Sequence, residues 1–184
     1  MKDFIAGRYE TGALSAKEPV VRRMNTDIGS QTWYTEYTRM QNMGADTNVK
    51  TSMIFGGLWD ETLQWLVDTE NKMYSEIANS TSWGNYNNVT FEYATTSGGT
   101  ATKAAGSNTR VPAGSTEYTK ANNIYDMAGN VLDWTLEGVG SNGYRGRGGY
   151  YGNAGWLYPA SYRYNYVPYS CYSFCGFRAY LYIK

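Results

Sequence analysis

The sequence contains no histidine. That removes the commonest general base and the commonest metal ligand, so histidine-dependent triads and histidine-held zinc or iron centres are excluded. Cysteine is scarce: Cys171 and Cys175 are too few for a disulfide framework and do not fix a redox compartment. No apolar run approaches the roughly 20 residues that a membrane helix needs. Met1 to Glu10 lacks the apolar centre of a signal peptide, an absence that assigns no compartment. Acidic residues stop at Glu137. Beyond it come Arg145, Arg147, Arg163, Arg178 and Lys184, so the last quarter carries +5 and the remainder −5, within a net charge of zero. Such an end could draw acidic ligands, or its arginines could hold turns and backbone carbonyls.

What is abundant is aromatic. There are nineteen tyrosines and six tryptophans among 184 residues. Eleven of those tyrosines lie in 144–184. With 42% hydrophobic and 17% charged residues, the chain reads as one globular domain spanning 1–184. Phe4 to Thr11 reads as a short strand ending at Gly12. Ser30 to Met43 reads as a helix, capped by Ser30 and stopped by Gly44, with Trp33, Tyr37 and Met40 on one face. A second helix fits Trp59 to Thr69, with Trp59, Leu63, Leu66 and Val67 inward and Gly56-Gly57 as the turn before it. Asn79 to Ala121 is rich in Ser, Thr, Asn and Gly and reads as long loops with one strand near Val89 to Tyr93. Strands follow at Val131–Thr135, Tyr144–Tyr151 and Gly176–Ile183. Trp33, Trp59, Leu63 and Trp134 are the expected core.

Several segments form an ordered set. Asn123-Ile-Tyr-Asp-Met-Ala-Gly-Asn-Val-Leu-Asp-Trp-Thr135 is the longest. Arg147-Gly148-Gly149 and Gly176-Phe177-Arg178 follow it, and Phe4–Gly12 and Trp59-Asp60 precede it. Together they resemble the motifs of the formylglycine-generating-enzyme-like (sulfatase-modifying-factor) family. The resemblance implies an α+β, C-type-lectin-like fold with two helices, short antiparallel strands and extensive loops. Catalytic members of that family use two cysteines to bind copper. With Arg163 thirteen residues before Gly176, as in the family, those cysteine positions fall on Gly155 and Ala160. Cu(I) needs thiolates, so no oxidase activity is expected. The related sulfoxide synthases use histidine-bound iron, which this chain cannot supply. The resemblance also implies a calcium site at Asp126, Gly129, Val131 and Asp133, with Asp133 one methylene shorter than the family's Glu. The other reading is that Asp126 and Asp133 tie down the turn through backbone N–H groups.

Binding is what remains. Residues 150–175 mix Tyr, Ser, Asn and Gly as an antibody paratope does. This fold also serves the variable proteins of diversity-generating retroelements in phages and bacteria, where adenines in AAC or AAT codons are randomised. Such codons cannot yield Lys, Glu, Gln or Met, and none of these occurs from Gly138 to Ile183. The segment 144–178 therefore resembles a variable region, with Cys171 and Cys175 as chance products of such codons. Its expected face is Tyr151, Asn153, Trp156, Tyr158, Tyr164, Tyr166, Tyr169, Tyr172 and Phe174, partly exposed on one surface. The ligand expected from the resemblance is a protein or glycan, with a phage particle or bacterial surface as the setting. An undiversified structural or adhesion module of a phage tail or cell-surface protein is the other reading. Asn79-Ser80-Thr81 and Asn88-Val89-Thr90 match the glycosylation pattern without a secretory context. Gly146 and Gly148 make no phosphate loop, and no basic helix suggests nucleic acid.

Overall fold

The computed structural model describes residues 4–15, 18–26, 29–43, 49–141, 143–170 and 172–183. The chain is mixed α+β, with few helices and many short strands. Helix α1 (Trp33–Asn42) starts two residues later than a cap at Ser30 would place it. Thr32 is the cap, its hydroxyl accepting from the Thr35 N–H at 3.2 Å. Ser30 instead takes a left-handed φ of 66° and stays outside the helix. Gly44, the expected stop, lies outside the described residues. Trp33 and Met40 are buried, and the Trp33 indole N–H donates to the Thr135 carbonyl at 2.8 Å.

Helix α2 (Gly56–Asp68) includes the two glycines that the sequence suggests as a turn. The reason is contact. A side chain at Gly56 would run into the Glu137 carboxylate, so glycine lets that acid lie against the first turn, where a helix end favours negative charge. Trp59, Leu63 and Leu66 are buried on the inward face. A short helix α3 (Tyr74–Ala78), absent from the sequence reading, follows. The Ser/Thr/Asn-rich stretch is more ordered than its composition suggests. It holds a hairpin of β5 (Phe91–Ala94) and β6 (Thr100–Lys103) in addition to loops.

The main sheet has six strands, in the order β11 (Arg163–Tyr166), β10 (Gly143–Arg147), β9 (Leu132–Val139), β12 (Cys175–Phe177), β2 (Thr11–Ser15) and β3 (Glu18–Val21). Pairing is antiparallel except for β12 with β9, which is parallel. The long excursion between β10 and β12 supplies the crossover that a parallel pair requires. A second sheet orders β1 (Phe4–Ala6), β13 (Ala179–Ile183) and β4 (Val49–Met53), and β7 (Lys120–Ala121) pairs with β8 (Ile124–Tyr125). The expected first strand is thus two strands in two sheets, with Gly12 inside β2. The expected last strand is likewise split at Arg178 between β12 and β13.

Arg178 explains that split. Its fully buried guanidinium donates to the Gly7 carbonyl and the Tyr125 carbonyl, both at 2.8 Å, and to Asp133 at 3.3 Å. One side chain therefore joins the chain start, β8 and β9 at the point where the terminal strand changes sheets. The four expected core residues, Trp33, Trp59, Leu63 and Trp134, are all buried, as is Phe177.

Candidate ligand-binding face

Strand β11 is an edge of the main sheet, and alternation sends its residues to two faces. Tyr164 and Tyr166 point to one side. There they begin a run of rings in contact. Tyr164 stacks on Tyr166 with centroids 4.6 Å apart, and Tyr166 meets Tyr172 at 4.8 Å. Tyr172 stacks on Phe174 at 5.2 Å, Phe174 stacks on Tyr150 at 4.3 Å, and Tyr150 meets Tyr151 edge-on at 5.6 Å. In the other direction Tyr158 and Tyr162 pack against Tyr164 at 5.7 and 5.6 Å. Most of these rings are half-buried, and Tyr150, Tyr164, Tyr166, Tyr172 and Phe174 pack on the buried cluster of Trp33, Leu132, Trp134 and Phe177 beneath them. Burial raises the Tyr150, Tyr164 and Tyr166 phenols above their ordinary value, and neighbouring tyrosines add to it. The Tyr164 hydroxyl shares hydrogen bonds with Tyr158 and Tyr166, so the rings are tied to one another at their polar ends as well.

Beneath the rings the support is tight. Gly146 lies opposite Tyr164, and a side chain there would collide with Leu132. Trp134 meets Tyr166 edge-on at 5.9 Å. Gly148 and Gly149 both have left-handed φ, 87° and 71°, where glycine is unstrained. A Cβ on Gly149 would strike the Tyr158 carbonyl.

Six of the nine residues expected on this face belong to the ring array: Tyr151, Tyr158, Tyr164, Tyr166, Tyr172 and Phe174. Trp156 is 61% exposed but touches none of those rings. Tyr169 is 70% exposed and lines a separate cavity of about 210 Å³ with Tyr34, Tyr144 and Pro168. Asn153 corrects the expectation: it is 8% exposed, and its side-chain oxygen accepts the Tyr150 N–H at 3.0 Å. It closes the turn that carries Tyr150 and Tyr151. Sequence reasoning missed Tyr150, Tyr162, Tyr144 and Tyr34. The first three lie inside the tyrosine-rich stretch. Tyr34 carries no signal beyond its place next to an inward Trp33. Cys175 is fully buried in β12 and Arg147 is fully buried in β10, so framework positions occur inside 144–178. Cys171 lies outside the described residues.

On the other face of β10 and β11 the arginines are paired. Arg147 bonds Asp60 at 2.5 Å and Glu137 at 3.4 Å, and Arg163 bonds both of these acids. Arg147 also donates to the carbonyls of Tyr162 and Ser161. The cationic end of the sequence is thus met in space by acids from its other part, as well as by the carbonyls the second reading expected.

The positions where the resemblance implies copper-binding cysteines do not fit the metal. Gly155 has no side chain, and a Cβ there would lie 2.8 Å from the Thr81 backbone and 2.7 Å from Tyr86. Ala160 is fully buried, its N–H on the Ser80 hydroxyl and its carbonyl accepting from the Trp59 indole. Of the four calcium positions, Asp126 has both side-chain oxygens bonded. Asp126 accepts from the Gly114 N–H at 2.7 Å and the Thr119 hydroxyl at 2.6 Å. The N–H groups of Gly129 and Val131 donate to the Gly148 carbonyl and to Glu10, bonds that do not engage their carbonyl oxygens. Asp133 gives one oxygen to Arg178. Among the described residues no group of three or more acidic or thiol side chains could by itself hold a metal ion. Asp126 holds the turn through a backbone N–H, as the second reading expects, whereas Asp133 meets the Arg178 guanidinium instead of a backbone N–H.

The class that fold and face define is a mixed α+β scaffold carrying a half-buried aromatic array. No family model and no curated protein matches the sequence. Solved structures do match it. PvdO from Pseudomonas aeruginosa is 16% identical with a TM-score of 0.61, over 97% of this chain and 80% of that one. CarF is 14% identical with a TM-score of 0.54, over 85% and 67%. At these identities the likeness is one of fold alone. Treponema denticola variable protein 1 also aligns, at 12% identity over 94% and 76%, with a TM-score of 0.48 that is too low to bear on the fold. No helix among the described residues is long and apolar enough to cross a membrane.

Proposed function

We propose that the chain is a non-catalytic binding protein. Its C-type-lectin-like scaffold presents the tyrosine array of β11 and its flanking loops to a protein or glycan ligand. In this reading it is a variable protein of a diversity-generating retroelement, of phage or bacterial origin. The observation that carries the reading is the unbroken run of half-open rings from Tyr162 to Tyr151. Burying so many phenols in a core would leave hydroxyls without partners. Set at a surface, they offer large contact area with few rotatable bonds. The buried glycines and Trp134 beneath them reduce the ordering cost of binding. Absence of oxidase chemistry is supported by the lack of thiols at Gly155 and Ala160 and by the lack of room for one at Gly155.

The test is a display library in which Tyr151, Tyr158, Tyr164, Tyr166, Tyr172 and Phe174 are varied and selected against immobilised lysozyme as a model target. Folded members that bind lysozyme, and that lose binding when reverted, support the reading. A library that is largely unfolded would mean that the array is core rather than paratope. A reverse transcriptase and a template repeat differing only at adenines, beside the gene, would test diversification separately.

A further inference from the structure

The outward side of α2 carries a second surface, unrelated to the tyrosines. Trp65 is 43% exposed there. Glu61 and Asp68 stand four residues before it and three after, so all three share one helix face. With Ile5 and Ala6 of β1 and Ile124 of β8 they line a groove of about 640 Å³, mostly apolar and without any lysine or arginine. Among the described residues neither carboxylate is ion-paired, and Asp68 receives only the Gln64 amide, at 2.7 Å. Two other tryptophans have a cation over the ring: Lys72 at 5.1 Å from Trp83 and Arg147 at 5.7 Å from Trp59. Among the described residues no such cation covers Trp65.

We propose that this groove binds a small organic ammonium ion with an apolar body. Its volume falls in the range of small-molecule sites, roughly 300–1,000 Å³. The apolar walls suit a hydrocarbon body, and an open indole face attracts a poorly hydrated cation, quaternary ammonium above all. Glu61 and Asp68 supply the opposite charge that the lining otherwise lacks. A neutral or anionic amphiphile of equal length would gain the walls without the charge.

Isothermal titration with hexyltrimethylammonium, 1-hexanol and hexanesulfonate tests this. The ammonium ion is expected to bind one site at least about tenfold more tightly than either control, a difference of about 1.4 kcal/mol. Trp65→Ala should abolish that preference. Glu61→Gln with Asp68→Asn, which keeps the groove's shape, should weaken the ammonium ion about tenfold and leave 1-hexanol unchanged. Tyr164→Ala with Tyr166→Ala should change nothing, which keeps this site separable from the ring array. No binding, equal binding of all three probes, or indifference to the paired acid substitutions would overturn the proposal. So would loss of binding in the tyrosine variant, which would put the cation on the other face.

Discussion

Asp133, Glu10, Asp126 and Arg178 place three buried carboxylates around one guanidinium. Asp133 Oδ1 meets no donor among the described residues. Burial pushes Asp133 up from 3.8 to about 6, with Arg178 opposing it and Asp126 adding to it. Burial raises Glu10 and Asp126 as well. An acid with a raised folded-state pKa holds its proton more tightly when folded. The stability that Asp133 contributes is therefore whole below about 3.8 and lost as pH rises through about 6. Urea unfolding should show stability falling across that window, by at most about 3 kcal/mol from this group, and Asp133→Asn should flatten the fall. An unchanged slope in the variant would remove Asp133 as the cause. Arg178→Met should cost about 3–5 kcal/mol, because it strands a buried acid and two carbonyls. Equilibrium unfolding measures it directly.

At the scale of elements, the contrast lies between β11 and β12. Tyr164 and Tyr166 on β11 are half-open, whereas Phe177 on β12 is 2% exposed between β9 and β2. Phe177→Ala should cost about 3–5 kcal/mol, as other buried aromatics do. Tyr164→Ala should cost clearly less, within about 2 kcal/mol, since part of that ring is already in water. Thermal unfolding of both variants decides whether β11 is face or core. Gly155→Cys with Ala160→Cys should lower the melting temperature and produce no copper-dependent oxidation of a cysteine peptide, because the Thr81 backbone occupies the space for the first side chain. Turnover above buffer would contradict that.

For the molecule as a whole, calcium is the global test. A ligand of the folded state alone raises its stability by mass action. With Asp126 bonded to Gly114 and Thr119, and Asp133 bonded to Arg178, millimolar Ca²⁺ should leave the melting temperature unchanged. A rise reversed by a chelator would mean that the ion displaces those donors. Charge behaves the same way at this scale. Arg145, Arg147, Arg163 and Arg178 meet Asp60, Glu137 and Asp133 within a few ångströms, Asp60 being far from them in sequence.

The sequence by itself determined the local features. The periods of Trp33–Met40 and Trp59–Leu66, the alternation around Trp134, and the tyrosine-rich 150–175 stretch are written in neighbouring residues, so helix faces, core tryptophans and most members of the ring array were legible. It did not determine what depends on partners distant along the chain. Thr32 rather than Ser30 caps α1. Gly56 is helical because Glu137 lies against it. The terminal strand breaks because Arg178 reaches Gly7 and Tyr125. Asn153 is buried because its carboxamide closes the turn onto Tyr150, while Tyr34 joins Tyr169 across a cavity that spans more than a hundred positions of sequence. Only the tertiary structure decides these, since a buried polar group takes whichever partner the fold brings within hydrogen-bonding distance, and no local pattern encodes that meeting.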